Sequence, residues 1–425
     1  MERRQFISTA VGAAAALPVV SCSTGSLSSD KKEQLKARYE KLDQVLTQPI
    51  LKKELFPSPV IIESVELLEY NGGYLCRVRS KDGAEGISAG HYYTQLFAPL
   101  FLLNVRPFFI GQDARELDTL LEKVFIYKLN FRFNGLPIGL PLATVEFAIL
   151  DMLGNIAGKP AAELIGKIHR PEIGLYVATE FRELPLERHF AKIQEETAKY
   201  DSKALKIKVG FMWDGAKDIN YSGIPGKSEE LIKIVREHYG PDWALYADAN
   251  GYYDVKDAIR IGRILEEYKY GYFEEPVMYY HIEEIKEVAE TLTIPIANGE
   301  QDQNLYNHRW LLANEGIDIV EPDSYYFGGL IRSLRLALMA DVMGKTCVTH
   351  MSGGGLGYVY NAILVSALPN AVEHHEFKGF NTHIPFECPT SPLTIVNGKM
   401  KVPTGPGMGV VIDPEFVAKH KPMRM

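Results

Sequence analysis

The sequence predicts a closed α/β barrel of eight parallel strands, carried behind a smaller α+β domain. Five polar residues, Asp248, Glu274, Glu300, Asp323 and His350, end five successive apolar runs, at steps of 26, 26, 23 and 27 residues. Each step is the length of one strand, one helix and two short loops. Strand-like and helix-like stretches alternate from about residue 173 onward, whereas paired strand-like runs followed by helical ones occupy the region before it.

Within the barrel, Ile173 to Ala178 is the first strand and Leu205 to Gly210 the second, with helical spacing over Leu186 to Tyr200 between them. The five polar residues close strands three to seven, and Ala371 to Phe377 falls where an eighth is needed to complete the ring. Ahead of the barrel, Val60 to Leu68 and Gly73 to Arg79 alternate as two strands about a turn at Asn71-Gly72-Gly73. Gly86 to Tyr93 is glycine-rich and aperiodic, and reads as a loop. Asp113 to Phe125 and Leu142 to Ala157 are helical, the latter stopped by Gly158-Lys159-Pro160. The expected division is a capping domain over 59–170, a barrel over 171–390 and a C-terminal segment over 391–425.

Residues 1–22 read as an export signal: Arg3-Arg4-Gln5-Phe6-Ile7 precedes an apolar run from Ala10 to Val20, too short to span a membrane. The pattern resembles a twin-arginine signal, and Val19-Val20-Ser21-Cys22 resembles a lipobox in which Cys22 would carry a lipid anchor. An exported, periplasmic or envelope-associated protein is expected. Residues 23–58 then form a tether and N-terminal extension, serine-rich at first and charged and helix-compatible from Lys31 to Lys53.

The composition is that of a globular protein, with 46% hydrophobic residues in 425 and a net charge of −8. Its 54 acidic and 46 basic residues are dispersed, which leaves no polyanion-binding stripe and argues against nucleic acid as a partner. The four cysteines, Cys22, Cys76, Cys347 and Cys388, form neither a disulfide framework nor a metal-binding spacing.

Side chains at the C-terminal rim of a parallel barrel converge, so Asp248, Glu274 and Glu300 bring three carboxylates to one place. Strand-end acids also cap helices, but three at equal spacing call for a cation, and an all-oxygen donor set selects a hard one, Mg²⁺. Lys206 and Lys208 lie two apart on one strand and face the same side. Two ammonium groups so placed are expected to lower each other's pKa, fitting one of them as a general base. Asp323 and His350 form an orienter and base pair on neighbouring strands.

Lys206-Ile-Lys208, Asp248-Ala-Asn250, Glu274-Glu275-Pro276, Gly299-Glu300, Pro322-Asp323 and His350 together resemble the mandelate racemase branch of the enolase superfamily, over roughly residues 59–400. The resemblance implies a modified (β/α)7β barrel with a cap to which the C-terminal segment returns. It also implies Mg²⁺ on Asp248, Glu274 and Glu300, with Lys208 and His350 as acid/base groups, Lys206 tuning the former and Asp323 orienting the latter. The shared step is abstraction of the proton α to a carboxylate to give an enediolate. Dehydration of an acid sugar to a 2-keto-3-deoxy acid is the expected outcome; the alternatives are a racemase, epimerase or cycloisomerase, or a non-catalytic sugar-acid binding protein. A substrate-carboxylate ligand is expected on the eighth strand at Glu376 or Glu373, with Asn250 close by. Cap loops at Ala84 to Tyr93 and Tyr127 to Pro137 would close the mouth, with Arg132 or His91 holding a distal group. Assembly into a homo-oligomer is also implied.

Overall fold

A computed structural model describes residues 29–71, 73–211, 224–379 and 382–424. The export signal, Cys22 and the start of the tether lie outside the described residues.

The cap is a three-stranded antiparallel sheet backed by one long helix. Strands β1 (Ile62–Tyr70) and β2 (Gly73–Ser80) pair with Tyr70 opposite Gly73, and β3 (Glu85–Ala89) pairs with β2. The expected loop over Gly86 to Tyr93 is therefore half strand. Its glycine serves packing: a Cβ on Gly86 would lie 2.1 Å from the Ala148 carbonyl oxygen, so only glycine lets this strand approach the helix Leu136–Ala157. That helix begins six residues before the expected Leu142, runs through Pro141 and ends at Gly158 in the left-handed conformation. It is apolar and long enough to span a membrane, yet it is buried against β2 and β3 as the core of the cap. The second expected loop, Tyr127 to Pro137, is instead tight helical turns over Tyr127–Phe133, broken by positive φ at Lys128 and Leu129, and leads into that helix.

The N-terminal extension is tied down. The helix Ser29–Thr47 packs on the barrel helices Leu305–Ala313 and Leu330–Asp341. Arg309 grips Asp43 with two bonds of 2.6 Å, and Arg335 donates to the carbonyls of Val45 at 2.9 Å and Gln48 at 2.6 Å.

The barrel strands are β4 (Glu172–Ala178), β5 (Ala204–Lys208), β6 (Ala244–Asp248), β7 (Phe273–Glu274), β8 (Ile296–Asn298), β9 (Ile319–Val320), β10 (Thr346–Cys347) and β11 (His374–Phe377). They pair in parallel in the order β10-β9-β8-β7-β6-β5-β4-β11. A parallel bridge between Cys347 and Ala371, with Cys347 N donating to Asn370 O at 3.0 Å and Val372 N to Cys347 O at 3.0 Å, closes the ring. Tyr176, Tyr246 and Tyr272 pack together inside, each two residues before a strand's end, and alternation directs the residues at those ends inward above them. The C-terminal segment lays the strand Lys399–Lys401 against β4, then reaches the cap, where Met408 N donates to Asp151 at 2.9 Å and Met423 N to Leu67 O at 2.8 Å.

Candidate active site

β6 and β7 end at Asp248 and Glu274, and β8 leads through Gly299 into Glu300; ligand oxygens of the three lie within 4.8 Å of one another and all three are buried. Burial and the neighbouring Asp248 carboxylate push Glu274 well above the ordinary carboxylate range. Burial also disfavours the charge on Asp248, but Lys208 beside it outweighs this and holds it low. Glu300 Oε2 is buried and makes no hydrogen bond among the described residues, although His350 Nε2 approaches it to 3.2 Å. Crowded carboxylates with an unsatisfied buried oxygen fit a hard divalent cation, with Asp248, Glu274 and Glu300 as its ligands.

The lysine pair behaves differently from expectation. Lys206 bonds both oxygens of Glu274, at 2.7 and 2.6 Å, and lies 3.2 Å from Glu376; Lys208 bonds Asp248 and, at 3.0 Å, Asn250. Burial would lower both ammonium groups, but Glu274 and Glu376 for Lys206, and Asp248 for Lys208, overcome it and hold both above the ordinary lysine value. Mutual repulsion, the expected cause of a depressed pKa, is outweighed by carboxylates arriving from other strands.

His350 Nδ1 lies 2.8 Å from Asp323 Oδ2, and Nε2 is 3.4 Å from Glu376. Burial disfavours the imidazolium, but Glu300 and Glu376 raise its pKa to about 9, so the ring is cationic near neutral pH. Asp323 Oδ1 accepts from the N–H groups of Tyr325 and Tyr326 at 2.8 and 3.0 Å, which fixes the carboxylate.

Of the two eighth-strand candidates, Glu376 is buried in the site and accepts from Met351 N at 2.8 Å, whereas Glu373 is exposed before β11 begins. Arg132 is exposed on the cap turns and does not line the cavity. His91 is buried behind the mouth against Tyr325 and Tyr326, and burial lowers its pKa to about 4, so it is a neutral packing residue. A cavity of about 860 Å³ opens over Lys208, Asn250, Glu300 and His350. Five further charged residues join the cluster: Glu180, Arg182, Lys378 and Glu275 border the cavity, the last quoted above only as part of a motif, and Glu321 lies 3.8 Å from Lys206. Glu180 and Arg182 lie two and four residues beyond β4, at the rim where the other strands place their chemistry, and that position was the available signal.

The family described as Enolase C-terminal domain-like matches residues 190–416, more than half of the chain. The chain belongs to the enolase superfamily. Within the superfamily its relatives place it in the mandelate racemase-like branch. It is 28% identical to an arabinonate dehydratase of Saccharolobus solfataricus, over 75% of this chain and 81% of the relative. It is also 28% identical to a D-galactarolactone cycloisomerase of Agrobacterium fabrum, over 73% and 82%. A mandelate racemase/muconate lactonizing protein of Paracoccus denitrificans, solved in complex with magnesium, superimposes with a TM-score of 0.73 at 25% identity, covering 86% of this chain and 99% of that one.

Proposed function

We propose that this enolase superfamily enzyme dehydrates an acid sugar to a 2-keto-3-deoxy acid, with Lys208 removing the α-proton and His350 delivering a proton to the departing β-hydroxyl. The observation that carries this reading is an imidazole oriented by Asp323, 3.4 Å from Glu376 and open to the same cavity as Lys208. A relative named arabinonate dehydratase supports the substrate class. Magnesium on Asp248, Glu274 and Glu300 would draw the Asp248 carboxylate away from the Lys208 ammonium, so that Lys208 would give up its proton and serve as the base, and would supply the positive charge that stabilises an enediolate. Lys206, paired with Glu274 and Glu376, holds those two carboxylates in place. Asn250, at a left-handed φ of 45°, turns its amide oxygen to Lys208. Glu376, beside His350 and Lys206, would hydrogen-bond the substrate carboxylate through a proton shared between the two.

A panel of acid sugars incubated with enzyme and Mg²⁺ tests the proposal by appearance of a 2-keto-3-deoxy acid. Inversion of the α-centre, or ring closure and opening of a lactone, with no keto product would replace dehydration by isomerisation, the reaction named for the Agrobacterium relative.

Export by the Arg3-Arg4 signal, with Cys22 as the first mature residue and a lipid anchor, rests on sequence alone. Changing Arg3 and Arg4 to Lys should leave unprocessed protein in the cytoplasm. Assembly of copies is supported by large apolar side chains exposed on the cap, among them Leu96, Ile126 and Phe131. Ile126→Lys should lower the mass seen by light scattering if that face is the interface.

A further inference from the structure

The loop after β4 carries Glu180, Phe181 and Arg182, and three features set it apart from a passive connection. Phe181 adopts φ of +73°, a left-handed conformation that costs a bulky residue energy and persists only where the surroundings enforce it. Lys227, buried, enforces it by donating to the carbonyls of Arg182 and Leu184, both at 2.6 Å. Arg182 is itself buried, with Nη2 2.8 Å from the Asn250 amide oxygen that also accepts from Lys208, and weaker contacts of 3.4 Å to the carbonyls of Asp248 and Ala249. Its Nε–H makes no hydrogen bond among the described residues, although the residue borders the cavity. A buried donor of a permanently charged group is costly to leave unmatched, so a ligand oxygen is its natural partner.

Glu180 borders the same cavity and is half-exposed at the mouth. Lys378 lies 3.9 Å from Glu180 and 3.6 Å from Glu376, so its charge is already matched. Nη1 and Nη2 of Arg182 are already engaged, so its Nε–H alone cannot form the paired bonds by which a guanidinium takes a carboxylate, and a second substrate carboxylate would also meet Glu180; hydroxyl groups can donate to Glu180 and accept from Arg182.

We propose that Glu180 and Arg182 form a subsite for the hydroxylated tail of a substrate with a single carboxylate, an aldonate and not an aldarate. The inference rests on the acid-sugar reading above and names the part of the substrate that the barrel itself recognises. Arg182 donates Nε–H to a tail hydroxyl oxygen, and Glu180 accepts a hydroxyl proton nearer the mouth.

The test is calorimetric binding to the purified full-length chain with Mg²⁺, using pentonates, hexonates, galactarate and glycerate; the last has the reacting carbons but no further hydroxyls. Arg182→Lys should weaken pentonate or hexonate binding by about tenfold or more, the worth of one charged hydrogen bond, and glycerate by a clearly smaller factor, through the loosened Asn250 alone. Glu180→Gln should act in the same direction, and galactarate should bind the unaltered enzyme more weakly than hexonates. Equal losses for glycerate and hexonates, no loss in either variant, or tighter binding of galactarate would overturn the subsite. Tail-dependent losses in an enzyme that makes no 2-keto-3-deoxy acid would remove the dehydration reading and keep the subsite. Failure of every acid sugar to bind the unaltered enzyme would overturn both.

Discussion

Lys208 and His350 flank the same cavity, yet among the described residues one is supported by the barrel alone and the other is tied to the cap. Lys208, at the end of β5, bonds Asp248 and Asn250, and Asn250 is held in turn by Arg182 from the loop after β4. His350 bonds Asp323, Asp323 accepts from Tyr325 N, and the Tyr325 hydroxyl donates to the Ala89 carbonyl at the end of cap strand β3, at 2.9 Å. Tyr360 receives the Ala89 N–H at 2.9 Å, so both polar groups of that cap residue are bonded to barrel tyrosines. The difference teaches that the cap does more than cover the mouth. Its seating reaches one acid/base group through an unbroken series of hydrogen bonds and bypasses the other.

The largest expected effect erases the distinction. Glu274→Gln or Glu300→Gln should abolish both product formation and α-proton exchange with deuterated solvent, with the fold retained by circular dichroism. Full activity in excess chelator would contradict a metal-dependent site. Next in size, Lys208→Ala and His350→Asn should each lower turnover on the order of 10²-fold or more, the usual worth of a positioned acid or base. They should separate by NMR: exchange lost in the lysine variant and retained in the histidine variant, with the reverse outcome exchanging their roles.

Tyr325→Phe probes the cap connection directly. Removing one hydrogen bond two steps from His350 should lower product formation by about fivefold to tenfold and leave α-proton exchange unaltered. Equal loss of both would mean that the cap supports the two sides alike.

The smallest effect is on stability, at a second cap attachment on the same side. Glu146, in the helix Leu136–Ala157, accepts from Leu330 N at 3.0 Å and Ile331 N at 2.9 Å, capping the barrel helix Leu330–Asp341. Burial raises its pKa to about 8 against the pull of those donors. The folded protein therefore holds a proton that the unfolded chain releases near the ordinary value of 4.5. The corresponding stabilisation is complete below that pH and is lost as pH rises through about 8. Glu146→Gln cannot titrate, so its thermal midpoint should be lower overall yet flatter between those limits. An unaltered slope would assign the pH dependence to other groups.

Much of this site was legible because the relevant residues close apolar runs of strand length. Asp248, Glu274, Glu300, Asp323 and His350 all reached the rim, and the eighth strand fell within the expected Ala371 to Phe377. What failed depended on neighbours distant in sequence. The facing of Lys206 and Lys208 followed from strand alternation, but their charge state is set by Glu274, 68 residues from Lys206, and by Asp248, 40 residues from Lys208. Glu180 and Arg182 escaped notice because they follow β4 in a stretch with no periodicity. Gly86 was read as a loop residue because a glycine admitted for close packing against Ala148 has the same letter as one admitted for a turn.

The ring closes between β10 and β11, and β11 also pairs with β4, so residues near the C-terminal end of the chain seal the first barrel strand to the seventh. On the ribosome, a chain that has not yet reached Phe377 can at most lay down a curved sheet with two open edges, β4 and β10, whose unpaired backbone groups invite association with other chains. Completion of the barrel thus waits for its last strand, and any factor that shields nascent sheet edges must remain until Phe377 has been made.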